Sequence, residues 1–430
     1  MPKNRHQRGI HLKNFVDVDE KLPLLKALPL SLQHMFAMFG ASVLVPILFK
    51  IDPATVLFFN GVGTLLYIFI TKGKIPAFLG SSFAFIAPVY VVMAGYDYRT
   101  ALGGFIAAGI TFISVAIIVK FAGVDWLKKV FPPASMGAIV AIIGLELAPV
   151  AADMAGFPVG LNTKALDPKM VTISMVTLLT VILGSVLFRG FLKVIPVLIG
   201  VIVGYIVSVL MGVVSLEAVS TAPLVKIPEV YFPPKFNLTA IITILPAAFV
   251  VIAEHIGHLV VTEKIVGREL SRDPGLHRSM MGDGISTTLS GIFGSVPTTT
   301  YGENIGVLAI TKVYSVWVIG GAAIFSIVLA FSGTLTALIR SIPTPVIGGI
   351  SMLLFGVIAA SGIRMLIEEK VDYSKSRNLI LTAVIMIIGL SGAYINIGEV
   401  KLKGMALATV VAIVLNLFFL SFEKFNLLNE

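Results

Sequence analysis

Two acidic side chains interrupt long apolar stretches of this sequence and are the first candidates for chemistry. Glu303 lies in TTTYGENIGVLAITK, residues 298–312, and Glu254 lies in VIAEHIGHLV, residues 251–260. An acidic residue at the centre of a membrane helix costs about 2.5–3.5 kcal/mol on insertion scales, which favours a cavity or a partner for each. Glu303 alternatively caps its own broken helix, and such a cap does not exclude ligand binding.

Glu254 has a histidine on its own helix face. His258 follows four residues later, whereas His255 points about 100° away and is expected to be structural. A glutamate and a histidine on one face can share a proton and titrate as a coupled unit, as proton-linked transport requires. The competing interpretation is that His258 is a packed core residue.

Two short polar stretches break apolar segments: GSSFAF, residues 80–85, and TTYGENIG, residues 299–306. Non-helical backbone at membrane depth persists only where it is buried in protein or lines a cavity. Each stretch contains an aromatic residue, Phe83 or Tyr301, just before a plausible helix start. A helix that begins there offers unpaired N–H groups and a positive dipole end to a ligand. The alternative is a pair of kinks that serve packing alone.

The composition defines the class of protein around these residues. The chain has 430 residues, of which 57% are hydrophobic and 13% charged, and its mean hydropathy is +0.98. A soluble protein carries about 25% charged residues, so we expect an all-α polytopic membrane protein. The net charge of +9 is attributed to basic loops and not to nucleic acid.

Signals of soluble enzymes are absent from the sequence. It contains no GxxxxGK, GxSxG or HExxH motif and no cysteine. We therefore expect no enzyme, no metal site and no cofactor. Transport must then draw its energy from an ion gradient or from the gradient of the substrate.

Fourteen apolar segments are predicted. They lie near 27–49, 53–71, 75–94, 100–122, 133–152, 170–188, 194–213, 239–262, 278–295, 302–313, 315–338, 345–366, 378–396 and 403–421. With the N-terminus inside, most of the 32 basic residues fall in inner loops and in the tail formed by residues 1–26. The positive-inside rule then places both termini in the cytoplasm.

Weak internal echoes indicate a duplication. Leu28–Pro29 recurs at Leu245–Pro246, and Gly103–Gly104 recurs at Gly320–Gly321, each about half the chain later. Seven segments per half is an odd number, so the second half must enter the membrane inverted. Inverted repeats of this kind are typical of secondary transporters, which bind substrate near the midplane at broken helices. The broken segments are the third of each half.

The stretch ENIGVLAITK resembles the signature of the nucleobase–ascorbate transporter family through Glu303, Asn304, Gly306, Thr311 and Lys312. Gln33 and His34 in LPLSLQHMFAMFG match the Gln-His motif of the family; structural hydrogen bonding is the other interpretation of this pair. The likeness to uracil-transporting members runs along nearly the whole chain. It implies short antiparallel strands in segments 3 and 10, proton symport and a homodimer surrounded by membrane lipid.

The resemblance also implies a division into a core and a gate. The expected parts are core residues 27–122 and 239–338 and gate residues 133–213 and 345–421. The implied substrate-binding residues are Glu254, Glu303, Phe83, Gly302, Tyr301 and Ala41, with Gln33, His34, Ser82 and Asn304 in support. Glu254 and His258 are the expected proton-coupling unit.

The resulting expectation is a proton-coupled uracil importer of a bacterial inner membrane that works by alternating access. Protonation of the Glu254–His258 unit would favour uracil, and the core would then move against the gate. A purine permease such as a xanthine carrier is the alternative within the family. An anion transporter or channel of the same inverted fold is the alternative of another class, and the two carboxylates count against it.

Overall fold

Helices dominate the computed structural model, which describes residues 15–160, 165–230, 233–397 and 400–425. The α-helices are α1 (Leu24–Ala37), α2 (Phe39–Phe49), α3 (Pro53–Ile70), α4 (Ile86–Met93), α5 (Tyr98–Ala122), α6 (Asp125–Val130), α7 (Pro133–Glu146), α8 (Ala148–Met154), α9 (Pro168–Leu187), α10 (Pro196–Leu210), α11 (Glu217–Ser220), α12 (Leu238–Val266), α13 (Leu276–Phe293), α14 (Gly302–Thr311), α15 (Val316–Ala330), α16 (Gly333–Arg340), α17 (Thr344–Glu368), α18 (Ser376–Leu390) and α19 (Gly404–Lys424).

Within the described residues, four short strands form two separate antiparallel pairs. They are β1 (Leu79–Ser81), β2 (Thr298–Thr300), β3 (Tyr394–Ile397) and β4 (Val400–Lys403). β1 pairs with β2 so that Gly80 lies opposite Thr299, and both strands are buried. β3 and β4 form a local hairpin. Single 3-10 turns cover Phe83–Phe85 and Gly190–Val194.

Local sequence signals account for where many of the long helices begin and end. Asp52, Asp97, Asp167 and Asn237 each precede a helix and accept a backbone N–H from its first turn. Such side chains satisfy donors that have no partner within the helix. At the other end, Gly267 stops α12 in the left-handed conformation that glycine adopts without steric cost.

The helices follow the predicted apolar segments, with one correction. The segment predicted over 378–396 ends as helix α18 at Leu390, and the chain then turns at Gly392 (φ +72°) into strand β3. Apolar residues alternate with polar ones in YINI, so an apolar stretch there does not require a helix. Three other predicted segments are divided, between α1 and α2, α7 and α8, and α15 and α16.

The chain is a multi-pass membrane protein. Eight of the described helices or helix pairs are long and apolar enough to cross a membrane. Four further apolar helices are shorter, and two of these, Phe83–Met93 and Pro196–Leu210, lie in the first half of the chain. Each broken segment combines a buried strand with a short helix that follows it, β1 with α4 and β2 with α14.

Two sets of helices pack closely within themselves. In the first set α5 packs on α12 and α13, and α3 packs on α13 and α15. In the second set α17 packs on α7 and α9, and α7 packs on α18. Broken segments β1–α4 and β2–α14 belong to the first set, where β1 contacts α3 and α14 contacts α1 and α12.

Glycines allow α5 and α13 to approach closely. A Cβ atom added to Gly109 would lie 2.7 Å from the carbonyl oxygen of Gly284 and 2.6 Å from the backbone nitrogen of Thr288. A Cβ added to Gly284 would lie 3.0 Å from the carbonyl oxygen of Gly109. Small residues at helix crossings are the usual means of close backbone approach in membranes.

We expect Gly109→Val to destabilise the protein. The added side chain has backbone on its other side, so the helices must separate, at a cost of about 1–3 kcal/mol. The measurement is thermal unfolding in detergent. Gly123→Ala is not a suitable control, because Gly123 has φ +72° and alanine would strain the backbone there. Gly257→Ala is the better control, since a Cβ there has no other atom within 4 Å. Equal melting temperatures for Gly109→Val and the wild type would contradict this account of the crossing.

Candidate functional site

Glu303 lies at the start of α14, three residues after strand β2 ends at Thr300. It occupies the first turn of the helix, and its carboxylate accepts a hydrogen bond from its own backbone N–H. The side chain is exposed to water although the protein surrounds it on all sides at longer range. That combination describes a carboxylate in a water-accessible cavity, at the positive end of a helix.

Glu254 lies in the middle of α12, the helix that packs against α14. Its side chain is half-buried and close enough to Glu303 for the two carboxylates to interact electrostatically. Open space adjoins both helices, because a Cβ added to Gly257 or Gly306 would meet no other atom within 4 Å. Each of these glycines lies one turn after one of the carboxylates. The structure therefore brings together the two acidic residues that the sequence singled out.

The strand pair leaves backbone donors at both helix starts. The N–H of Ser82 donates to the Pro297 carbonyl oxygen at 2.9 Å, and the N–H of Tyr301 donates to the Phe78 carbonyl oxygen at 3.1 Å. Phe83 and Gly302 come directly after these paired residues and are the first residues of their helical turns. N–H groups in a first turn have no partner within the helix, so they can serve a ligand.

The two predicted aromatic residues have different surroundings. Phe83 is half-buried, and its ring meets that of Phe355 on α17 edge to face, with centroids 6.4 Å apart. Tyr301 is buried, and its hydroxyl donates to the Ser81 carbonyl oxygen at 2.8 Å. Its ring lies against Gly80, where any Cβ would overlap it. Phe83 thus faces the second helix set, whereas Tyr301 packs against strand β1.

The predicted supporting residues connect α14 to α1. The Asn304 side-chain nitrogen donates to the His34 carbonyl oxygen at 2.9 Å and lies 3.1 Å from His34 Nδ1. Gln33 and His34 are both buried near the end of α1. Ser82 is buried at the start of the turn that holds Phe83. The side chain of Ala41, in α2, lies outside the described residues.

His258 lies beside the strand pair. Its Nδ1 atom is 3.1 Å from the hydroxyl oxygen of Thr300 in β2. A Cβ added to Gly302 would lie 3.4 Å from its Nε2 atom. The imidazole is therefore next to the helix start that presents Glu303, one helical turn beyond Glu254 on α12.

A carboxylate that sequence reasoning missed, Asp283 on α13, pairs with the other histidine. Its Oδ2 atom lies 3.1 Å from His255 Nδ1, and both side chains are fully buried. His255 Nε2 lies 2.8 Å from the Ser279 hydroxyl, which is 2.6 Å from the Tyr67 hydroxyl. Asp283 stands in GDGISTTLSG, within a predicted apolar segment, so the argument used for Glu303 applied to it as well.

The Asp283–His255 pair touches the strand pair as well. The Thr298 hydroxyl oxygen in β2 lies 3.4 Å from Asp283 Oδ1 and 2.9 Å from the Ser286 hydroxyl oxygen, so it can donate to either. A small cavity between His255 and His258 is bordered by Tyr67, Ser279 and Thr300. Adding one proton to this buried pair changes its net charge from negative to neutral, a large change in a medium of low dielectric constant.

Comparison with known proteins reveals close relatives. Residues 25–398 match the model of a family described as the permease family. The uracil permease of Escherichia coli (strain K12) is 63% identical over 404 residues, which cover 94% of each chain. The uracil permease of Paenibacillus larvae is 57% identical over 417 residues, 96% of this chain and 99% of that one.

Among solved structures, the transmembrane domain of the cyanobacterial bicarbonate transporter BicA has a similar fold. The TM-score is 0.62, and the match covers 93% of this chain and 98% of that one at 15% identity. At this identity the similarity concerns the fold alone.

Proposed function

Because the chain belongs to the permease family, that of the nucleobase–ascorbate transporters, we propose that it imports uracil together with protons. It is a transport protein and not an enzyme, as its relatives are permeases. The observation that carries the proposal is the proximity of Glu254 to the solvent-exposed Glu303 at the start of α14.

The chemistry of uracil matches this cavity. Its planar ring presents two N–H donors and two carbonyl acceptors. Carboxylates accept N–H groups through strong, charge-assisted hydrogen bonds, so Glu254 and Glu303 hold the donor edges. The backbone N–H groups of Phe83 and Gly302 serve the carbonyl oxygens. Phe83 covers the ring, while Ala41 and Tyr301 complete the substrate-binding set.

The arrangement of the fold supports alternating access. We infer fourteen membrane segments in two inverted halves, in which β1–α4 and β2–α14 are the matching broken segments. The first helix set corresponds to the core and the second to the gate, with the boundaries predicted from the sequence. The Phe83–Phe355 contact lies between them, so motion of the core changes the cover over the substrate. The gate is also the proposed surface of a homodimer.

Two places in the core are suited to holding the transported proton. The first is the predicted unit of Glu254 and His258, which adjoins the substrate directly. The second is Asp283 with His255, whose Oδ2 and Nδ1 atoms lie 3.1 Å apart. Protonation of either unit removes a negative charge next to the cavity and thereby favours uracil, which is neutral.

Two rival functions remain distinguishable by experiment. A permease for a purine such as xanthine would use the same carboxylates in a wider pocket. An anion transporter or channel of the same fold would need a positive site, and two carboxylates in the cavity oppose anion binding. We propose that both termini lie in the cytoplasm, as the distribution of lysine and arginine indicates. The proposed placement in a bacterial inner membrane rests on the similarity to bacterial uracil permeases.

The proposal predicts that purified protein in liposomes accumulates radiolabelled uracil when an inward proton gradient is imposed. Unlabelled uracil should block this uptake, and unlabelled xanthine should not, because the second, fused ring of xanthine requires a wider pocket than uracil does. Thymine tests the space beside the uracil ring. Uptake that is blocked by xanthine would favour the purine permease, and bicarbonate transport without uracil uptake would favour the anion transporter.

A further inference from the structure

The N-terminal segment of the described chain lies against the linker that follows the substrate helix α14. Residues 15–21, here called the strap, run parallel to residues 312–317. The N–H of Val16 donates to the Lys312 carbonyl oxygen at 2.9 Å, and the N–H of Tyr314 donates to the Val16 carbonyl oxygen at 2.9 Å. The N–H of Val316 donates to the Val18 carbonyl oxygen at 3.0 Å. The strap therefore forms a short parallel β-bridge with the linker that follows α14.

Side chains fix the strap in the same place. Val18 is fully buried in the main hydrophobic core. The ring of Phe15 lies 5.8 Å from that of Tyr314, and the Lys21 amino group lies 4.0 Å above the Trp317 ring. The segment is thus a packed part of the fold where the sequence predicted only a charged tail.

The strap is also tied to the end of α12. Arg268 lies two residues after that helix ends and donates from Nη2 to Asp17 Oδ1 at 2.8 Å. Its Nη1 group donates to Asp19 Oδ2 at 3.0 Å. One guanidinium group therefore joins the α12–α13 loop to both aspartates of the strap, with the two-pronged geometry that arginine favours.

The two helices joined in this way carry the two carboxylates of the cavity. Glu303 lies about 12 Å from the linker end of α14, and Glu254 lies about 18 Å from the loop end of α12, at 1.5 Å per residue. We propose that the strap is a positioning element, in which Asp17, Asp19 and Arg268 fix the separation of Glu254 and Glu303 by joining the inner ends of α12 and α14. This inference rests on the function proposed above.

Lys312 belongs both to the family signature and to the contact with the strap. It is the closing residue of ENIGVLAITK and ends α14 in the left-handed conformation, with φ +56°. That conformation is one that glycine adopts without steric cost. The side chain is exposed, whereas the carbonyl group receives Val16. The first half of the signature therefore serves the cavity, and its last residue forms the turn on which the strap docks.

The test compares Arg268→Ala with Arg364→Ala, a matched control that removes an exposed arginine–glutamate pair with Glu368. Uracil affinity, KM, kcat and melting temperature are measured for each. Because partly exposed ion pairs contribute little to stability, both variants should melt near the wild type. Arg268→Ala should nevertheless raise the Kd and KM for uracil about fivefold to tenfold. Arg268→Lys should restore part of the affinity, and Arg364→Ala should leave it unchanged.

A variant with Asp17→Asn and Asp19→Asn supplies the second arm. If the three side chains act through one contact, adding Arg268→Ala to it should weaken binding no further. Unchanged affinity in all strap variants, with normal binding by the wild type, would overturn the inference. A wild type that does not bind uracil would instead overturn the proposed function.

Cross-linking decides whether the strap stays in place during transport. The sequence contains no cysteine, so Val16→Cys and Val313→Cys introduce a single pair of thiols at the bridged positions. A short bismaleimide should join them, and the cross-linked protein should transport uracil at the rate of the untreated variant. Blocked transport would mean that the strap must open, and the absence of cross-linking would mean that it does not dock; either contradicts a fixed positioning role.

Discussion

Replacing Glu303 with glutamine should weaken uracil binding about 100-fold, since a hydrogen bond to a charged group contributes about 1.5–3 kcal/mol. The substitution keeps the shape of the side chain at the start of α14. It removes the charged acceptor and introduces an N–H donor toward an edge of uracil that itself donates. The effect should therefore appear in Kd, and it should exceed that of Glu303→Asp, which retains the charge.

The measurement is equilibrium binding of labelled uracil to purified protein, alongside thermal unfolding. Glu369→Gln provides the control, because Glu369 is an exposed glutamate at the end of α17. It should bind as tightly as the wild type. Normal uracil affinity in Glu303→Gln would remove Glu303 from the site, and a melting temperature near that of the wild type is needed to attribute a loss to binding.

Replacing Asp283 with asparagine should uncouple transport from the proton gradient. Asparagine preserves the size of the side chain and the contact with Thr298 but cannot exchange a proton with His255. We expect the gradient-driven rate to fall about tenfold or more, because the buried imidazole loses its acid partner. Uracil affinity should be retained, because asparagine is uncharged like protonated aspartate and because Glu254 and Glu303 are intact.

Asp273→Asn is the matched control for this experiment. Asp273 is an exposed aspartate that forms an ion pair with Lys74 at 2.5 Å, so its loss should leave uptake unchanged. Uptake is measured across a range of outside pH, with and without an imposed gradient. Wild-type gradient response in Asp283→Asn would contradict the role of the buried pair. Loss of that response in His258→Asn instead would favour the Glu254–His258 unit.

Many residues of the candidate site could be predicted from the sequence, because they are polar residues within apolar segments. Glu254 directly follows an aliphatic run, and Glu303 lies in a polar break between two apolar stretches. The expectation of helix starts at Phe83 and Gly302 required only the polar breaks in two segments. Asp283 was not predicted, because it lies among serine, threonine and glycine residues and therefore differs little in polarity from its neighbours. Its pairing with His255 is a fact of packing between α12 and α13 that one sequence cannot display.

The features that sequence missed depend on distant contacts or on a change of period over few residues. The strap pairs with residues about 300 positions further along the chain, and nothing local in FVDVDEK indicates a partner. The hairpin of β3 and β4 adjoins α18, so its alternating residues merged with the apolar stretch before them. By contrast, the helix starts at Asp52, Asp97 and Asn237 depend on local capping, so they can be predicted from the sequence without tertiary structure.

The polar character of α13 has a consequence for biosynthesis. This helix has the length of a membrane span but is not among the eight that are apolar enough to cross alone. Asp283 at its centre adds a penalty of about 2.5–3.5 kcal/mol on translocon scales. Such a segment cannot partition into lipid by itself when it leaves the ribosome. It must wait at the translocon until α3, α5 and α12 can enclose it, which ties its insertion to helices made earlier in the chain.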